Sequence, residues 1–341
     1  MQRLYSQLPD FARPTHPVMR YLLGTARRSN LRLQILRFLL AVMVMGVMVL
    51  VGYQIAKRFD KIQFDTVNPL DQVFLVLYWP LVTLQILIRL IALGSTSGII
   101  ASEIQHGTWD TLKVTTNGAM LTMQTRWAAV FYRLRHLLIL IVALRVVFIV
   151  IALINLMSYQ GNYLRLLLSA PMPFGIANMS KESTILAGIF ATSIMMTAAL
   201  LAPFTAVAFD ASIGMLVGTF SQGRFLGILG QVALLIVRLV ITVAALELGA
   251  IALSYSTISL QELFKNSPGL GWLAALFGVA EGDMGLMLLN LPQHVQSLWA
   301  DYDAGALVGV AFLGYTLLQA VLANLIVKWA GRRAARSTNA A

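Results

Sequence analysis

Six long apolar runs constrain this chain more than any other feature. They cover Ile35–Ala56, Val73–Leu93, Leu137–Met157, Ile185–Phe209, Ile228–Leu253 and Ala304–Trp329. About 20 helical residues cross a hydrocarbon core about 30 Å thick, so each run is long enough to span a bilayer. The runs are continuous rather than alternating, which favours helices over barrel strands. Composition agrees: 58% of the 341 residues are hydrophobic and 11% charged, whereas a soluble domain carries about 25% charged residues. With a mean hydropathy of +0.78, a soluble enzyme, a disordered chain and a collagen-like fibre are all excluded. The expected fold is an all-α integral membrane protein, one polytopic domain over residues 1–341 with six transmembrane helices. Pro9, Asp10, Pro14 and several Arg precede any long apolar run, so the first span is expected to be an uncleaved anchor.

The net charge of +11 acquires meaning from its distribution. With the N-terminus in the cytoplasm, 16 of the 25 Lys and Arg fall in cytoplasmic segments or, like Arg37 and Lys328, at the cytoplasmic end of a span, six fall outside, and Arg89, Arg145 and Arg238 lie further within spans. That asymmetry obeys the positive-inside rule and predicts a multi-pass cell (plasma or inner) membrane protein with both termini cytoplasmic. No basic patch remains to suggest nucleic acid as a partner; membrane lipids are the partners such charges imply. The chain contains no Cys, so disulfides and Cys-ligated metals are impossible.

Three segments between spans have character of their own. In the cytoplasmic interfacial segment 1–34, Thr15–Arg32 suits a helix on the membrane surface. Thr15 can cap it, Pro17 falls near its first turn, and Val18, Tyr21, Leu22 and Ala26 lie near one stripe, with Arg20, Arg27 and Arg28 elsewhere. The outer segment 254–303 contains the apolar stretch Pro268–Pro292, interrupted by Glu281 and Asp283.

The cytoplasmic segment 94–128 is the most informative. Ser95–His106 has helix-compatible composition, and Gly107 is a natural stop because Gly adopts the left-handed conformation cheaply. Thr108 can then cap a second short helix with Asp110 in its first turn. The expected element is a helix–break–helix in which Trp109 and Leu112 are apolar anchors and Glu103, Asp110 and Lys113 polar handles. Such a shelf suits the docking of a cytoplasmic partner.

The pattern Glu103-x-x-x-Gly107-Thr108-x-x-x-Leu112, following a span, resembles the membrane (permease) subunit of type-2 ABC exporters. Pro17-Val-Met-Arg20 resembles the start of that family's interfacial elbow helix, and six spans with both termini inside match its half-transporter. The resemblance implies that Pro268–Pro292 is a re-entrant outer segment. It also implies that Glu103, Gly107, Thr108, Trp109, Asp110 and Leu112 form the coupling region for a separate cytoplasmic ABC ATPase subunit. A second permease half, identical or different, would complete the pathway. The sequence departs from the family at Trp109-Asp110, where an aliphatic residue and Glu are usual, and at Thr115-Thr116-Asn117, which lacks the usual Pro. The alternative expectation is a membrane scaffold that docks a cytoplasmic partner without transport.

A P-loop needs Gly immediately before Lys, and none of the six Lys follows a Gly. ATP hydrolysis by that route is therefore expected in a partner rather than in this chain, which is not expected to be an enzyme or to carry a cofactor or metal. The four His are scattered without zincin spacing.

Charges inside spans suggest a site by default. Arg89, about one helical turn from the cytoplasmic edge, is expected to snorkel. Arg145 and Arg238 lie deeper, and Glu247 is the only acid in the six runs as drawn. At about 100° per residue, Arg238 and Glu247 face opposite sides of one helix and cannot pair. Arg145, Arg238 and Glu247 are candidates for a substrate path; the more economical expectation is that they bond groups on neighbouring helices. Gly214-x-x-x-Gly218, Gly223-x-x-x-Gly227 and Gly305-x-x-x-Gly309 suit close helix contact.

Overall fold

A computed structural model of the chain describes residues 8–23, 43, 46, 50, 69–97, 118–158, 181–220, 224–253, 268–283, 285–286 and 308–336. Among these residues the architecture is all-helical. A 3-10 turn, Asp10–Ala12, precedes α1 (Pro17–Leu23), α2 (Pro69–Ser97), α3 (Gly118–Ser158), α4 (Lys181–Gly218), α5 (Arg224–Leu253), α6 (Pro268–Glu281) and α7 (Val308–Arg336).

Among the described residues five helices are long and apolar enough to cross a membrane: α2, α3, α4, α5 and α7, over Val76–Ser97, Met120–Ile154, Thr192–Gly218, Gly227–Gly249 and Val308–Ala335. They correspond to the second to sixth expected spans. The first, Ile35–Ala56, lies outside the described residues except for Met43, Gly46 and Leu50, which are helical. The helices overrun their apolar runs. α3 has 41 residues, about 62 Å of helix, so it projects well beyond a bilayer. α2 and α4 continue through Pro80 and Pro203.

α4 is the hub, packed most extensively against α7 and α2. Small residues make the approach close. A Cβ added to Gly214 of α4 would meet Thr96 Oγ1 and the backbone of Leu93 on α2. Other contacts fix the common end of the bundle. Gln231 Nε2 near the start of α5 donates to Gly94 O near the end of α2, 3.0 Å away. Gly331 of α7 abuts Met120 of α3, and the Arg333 guanidinium stacks 3.6 Å above the Phe220 ring beyond α4. The ends of α2, α4 and α7 and the starts of α3 and α5 therefore share one face, as alternating spans require.

α1 joins that end. Met19 is fully buried with Ala128 and Ala129 of α3, and Leu22 packs beside them. Tyr132 Oη donates to Ala12 O at 2.8 Å, and Arg133 donates to Leu22 O at 3.3 Å. The face of α1 that packs on α3 runs through Met19 and Leu22, while Tyr21 is 82% exposed, so two members of the expected stripe lie in different surroundings. Residues 24–32 of the expected helix lie outside the described residues.

Candidate functional site: buried charges between five helices

α6 is too short to span, with 14 residues, and it runs back along α5. A Cβ on Gly278 would lie 3.2 Å from Ala245 O and from Gly249 N, and one on Gly282 would lie 3.2 Å from Leu246 N. As the chain advances along α6, its neighbours on α5 recede, so the two are antiparallel. Only glycine permits this approach, since any side chain at Gly278 would meet the Gly249 backbone. α6 ends in Glu281, Gly282 and Asp283, the last with φ of 59°. Asp tolerates the left-handed region better than most residues, and that turn stops the helix with both carboxylates inside the bundle.

Each carboxylate meets arginine. Arg89 of α2 donates through Nη2 to Glu281 Oε2 at 2.9 Å and through Nε to Asp210 Oδ2 of α4 at 2.7 Å. Arg238 of α5 bridges the same two acids, with Nη2 2.5 Å from Glu281 Oε2 and Nε 3.3 Å from Asp210 Oδ2. The second Glu281 oxygen accepts from Tyr315 Oη and, at 3.2 Å, from Gln319 Nε2, both on α7. Thr205 of α4 donates to Gln319 Oε1 at 3.2 Å. Beyond this quartet, Arg145 of α3 grips both oxygens of Asp283 at 2.6 and 2.5 Å and also donates to Ala199 O of α4.

All six charged side chains are buried, and three arginines balance three carboxylates. A buried ion costs several kcal/mol unless it is paired and its remaining groups are bonded. Bidentate and charge-assisted bonds are the form that compensates best. Some groups remain unsatisfied: the buried atoms Asp210 Oδ1, Tyr78 Oη, Arg145 Nε and Arg238 Nε have no hydrogen-bond partner among the described residues.

Several expectations change. Arg89 does not snorkel; it is 3% exposed and doubly paired. Glu247 is not the only acid in a span, because α4 continues past Phe209 and carries Asp210 eight residues from its end. The apolar Ala211–Gly218 after Asp210 was the available signal. Arg145 and Arg238 bond acids on neighbouring elements, the more economical expectation. Glu247 is exposed and Arg238 buried, as their opposite facing required. Glu103, Gly107, Thr108, Trp109, Asp110 and Leu112 lie outside the described residues, although Gly94–Ser97 end α2 and 118–128 begin α3. Among the described residues no group of His, Asp or Glu is arranged to hold a metal.

Comparison of the chain with protein-family models, with curated proteins and with solved structures finds no match.

Proposed function

We propose that this protein is the permease subunit of an exporter, one half of a translocation pathway powered by a separate cytoplasmic ATPase. The resemblance of Glu103–Leu112 to a coupling region motivates the reading. One observation carries it furthest: α2, which leads directly into that segment, also holds the tip of α6 through Arg89.

Arg89 is eight residues from the end of α2, about 12 Å along the helix. A force applied just beyond Ser97 acts along α2 and reaches Arg89. From there it passes to Asp210 on α4 and to Glu281 on α6. Packed charged networks shift between discrete arrangements rather than deform continuously. In this reading α6 is the re-entrant element moved by the stroke, and Arg238 and Arg145 hold it at rest. Arg145 and Arg238 then act on the pathway through α6; an anionic substrate would have to displace a carboxylate to reach either one.

The test is co-expression with an ATPase subunit. Replacing Trp109 and Asp110 by Ala should abolish co-purification and substrate efflux. Replacing Arg89 by Gln should keep co-purification but lose substrate-stimulated ATP hydrolysis in reconstituted vesicles. Unchanged efflux in the first variant would refute the coupling assignment. A bound partner with no substrate-stimulated hydrolysis in the unsubstituted protein would favour a non-transporting scaffold.

A further inference from the structure

We infer that the groove between α3 and α4 beside Arg135 binds one anionic glycerophospholipid from the leaflet at the α1 end of the bundle. This inference is independent of the permease reading. The groove is an open cavity of about 430 Å³, lined by Phe131, Arg135, Leu138, Ile139 and Val142 on α3 and by Phe204 on α4. Leu138, Ile139, Val142 and Ala143 follow Arg135 at three, four, seven and eight residues, which places them on one stripe of the helix. The stripe extends about 12 Å from the guanidinium. Its form, a cation at the mouth and hydrocarbon along the floor, matches a headgroup phosphate followed by an acyl chain.

Charge selects among lipids. α3 contains four arginines and no acidic residue in its 41 positions. Arg145 is neutralised by Asp283, and Arg133 donates to Leu22 O. Arg135 is exposed, and its one bond among the described residues runs from Nε to His136 Nε2 at 3.2 Å. Its two terminal nitrogens remain for a phosphate, which guanidinium binds in bidentate fashion. A zwitterionic headgroup would bring its ammonium to a helix that offers no carboxylate. An anionic headgroup adds no such cation, and cytoplasmic leaflets are rich in anionic lipid.

Native mass spectrometry of the full chain in uncharged detergent tests the site, using phosphatidylglycerol and phosphatidylcholine of equal chain length. Phosphatidylglycerol should form a 1:1 adduct at severalfold lower lipid concentration. Arg135→Gln should weaken that adduct about fivefold, the effect of one basic side chain at an anionic surface, while Arg135→Lys retains most of it. Ala143→Trp fills the groove from an exposed position and should weaken both lipids. Glycerophosphate without acyl chains should give no adduct. Equal binding of the two lipids, or an unchanged adduct in Arg135→Gln, overturns the proposal. So does an equal loss in Arg332→Gln at the exposed end of α7, which would assign the attraction to the basic surface as a whole.

Discussion

Arg89 and Glu281 stand 192 positions apart in the chain, and Nη2 of the first lies 2.9 Å from Oε2 of the second. One belongs to a helix long and apolar enough to span a membrane and the other to the tip of a short helix that turns back along α5. Arg238 and Asp210 close the same cluster from two further spans. The position of α6 within the bundle is thus held by charge as well as by apolar packing, which bears on what should happen when any member is removed.

Glu281→Gln removes the shared counter-charge of Arg89 and Arg238 and leaves Asp210 to face both guanidiniums. Loss of one partner from a buried ion pair costs about 3–5 kcal/mol. We expect a marked fall in the apparent melting temperature in detergent, larger than for Tyr315→Phe, which removes one charge-assisted hydrogen bond worth about 1.5–3 kcal/mol. Equal melting of Glu281→Gln and the unsubstituted protein would show that the cluster adds nothing to stability.

The Arg145–Asp283 pair provides a cleaner cycle, because Arg145 Nη2 meets both Asp283 oxygens and neither residue has another ionic partner among the described residues. Arg145→Met and Asp283→Asn should each destabilise by about 3 kcal/mol, since each leaves a lone buried charge. The double variant should lose clearly less than the sum, with a coupling of about 0.5–3 kcal/mol. Additive losses in chemical unfolding would mean the pair is not energetically linked.

Gly278→Leu should displace α6 from α5, because even its Cβ would press on the Gly249 backbone. The chain has no Cys, so a single introduced thiol reports on this. Ala275→Cys, on the fully buried face of α6, should resist maleimide in the native background and react once Gly278 is Leu. Gly314→Leu is the matched control, since nothing lies within 4 Å of the Cβ it would add. Rapid labelling in the control would point to general loosening rather than to the α5–α6 contact.

Membrane orientation is open to the same chemistry. A Cys at Gly107 should label only from the cytoplasmic side and one at Ser267 only from outside, as the Lys and Arg asymmetry requires. The reverse pattern would invert the proposed topology and remove the coupling segment from the reach of any ATPase.

Much of this architecture was legible in the residues. Apolar length and a period-free run mark α2, α3, α4, α5 and α7, because hydrocarbon demands a continuous helix whatever the neighbours are. The stretch Pro268–Pro292 stood apart from the six runs as apolar but interrupted by Glu281 and Asp283. The partners of Arg89, Arg145 and Arg238 were not legible. Asp210, Glu247, Glu281 and Asp283 were all available as counter-charges, and nothing local distinguishes Glu247, which is exposed, from Asp210, which is wholly buried.

Which of the described helices are long and apolar enough to enter a membrane was therefore settled by composition along the chain, since transfer into lipid depends on each segment by itself. Which charges meet was decided only by tertiary structure. A buried ion is tolerable only where another helix brings its counter-ion within bonding distance, and here that depended on Gly278 and Gly214 letting α6 and α4 approach their neighbours closely.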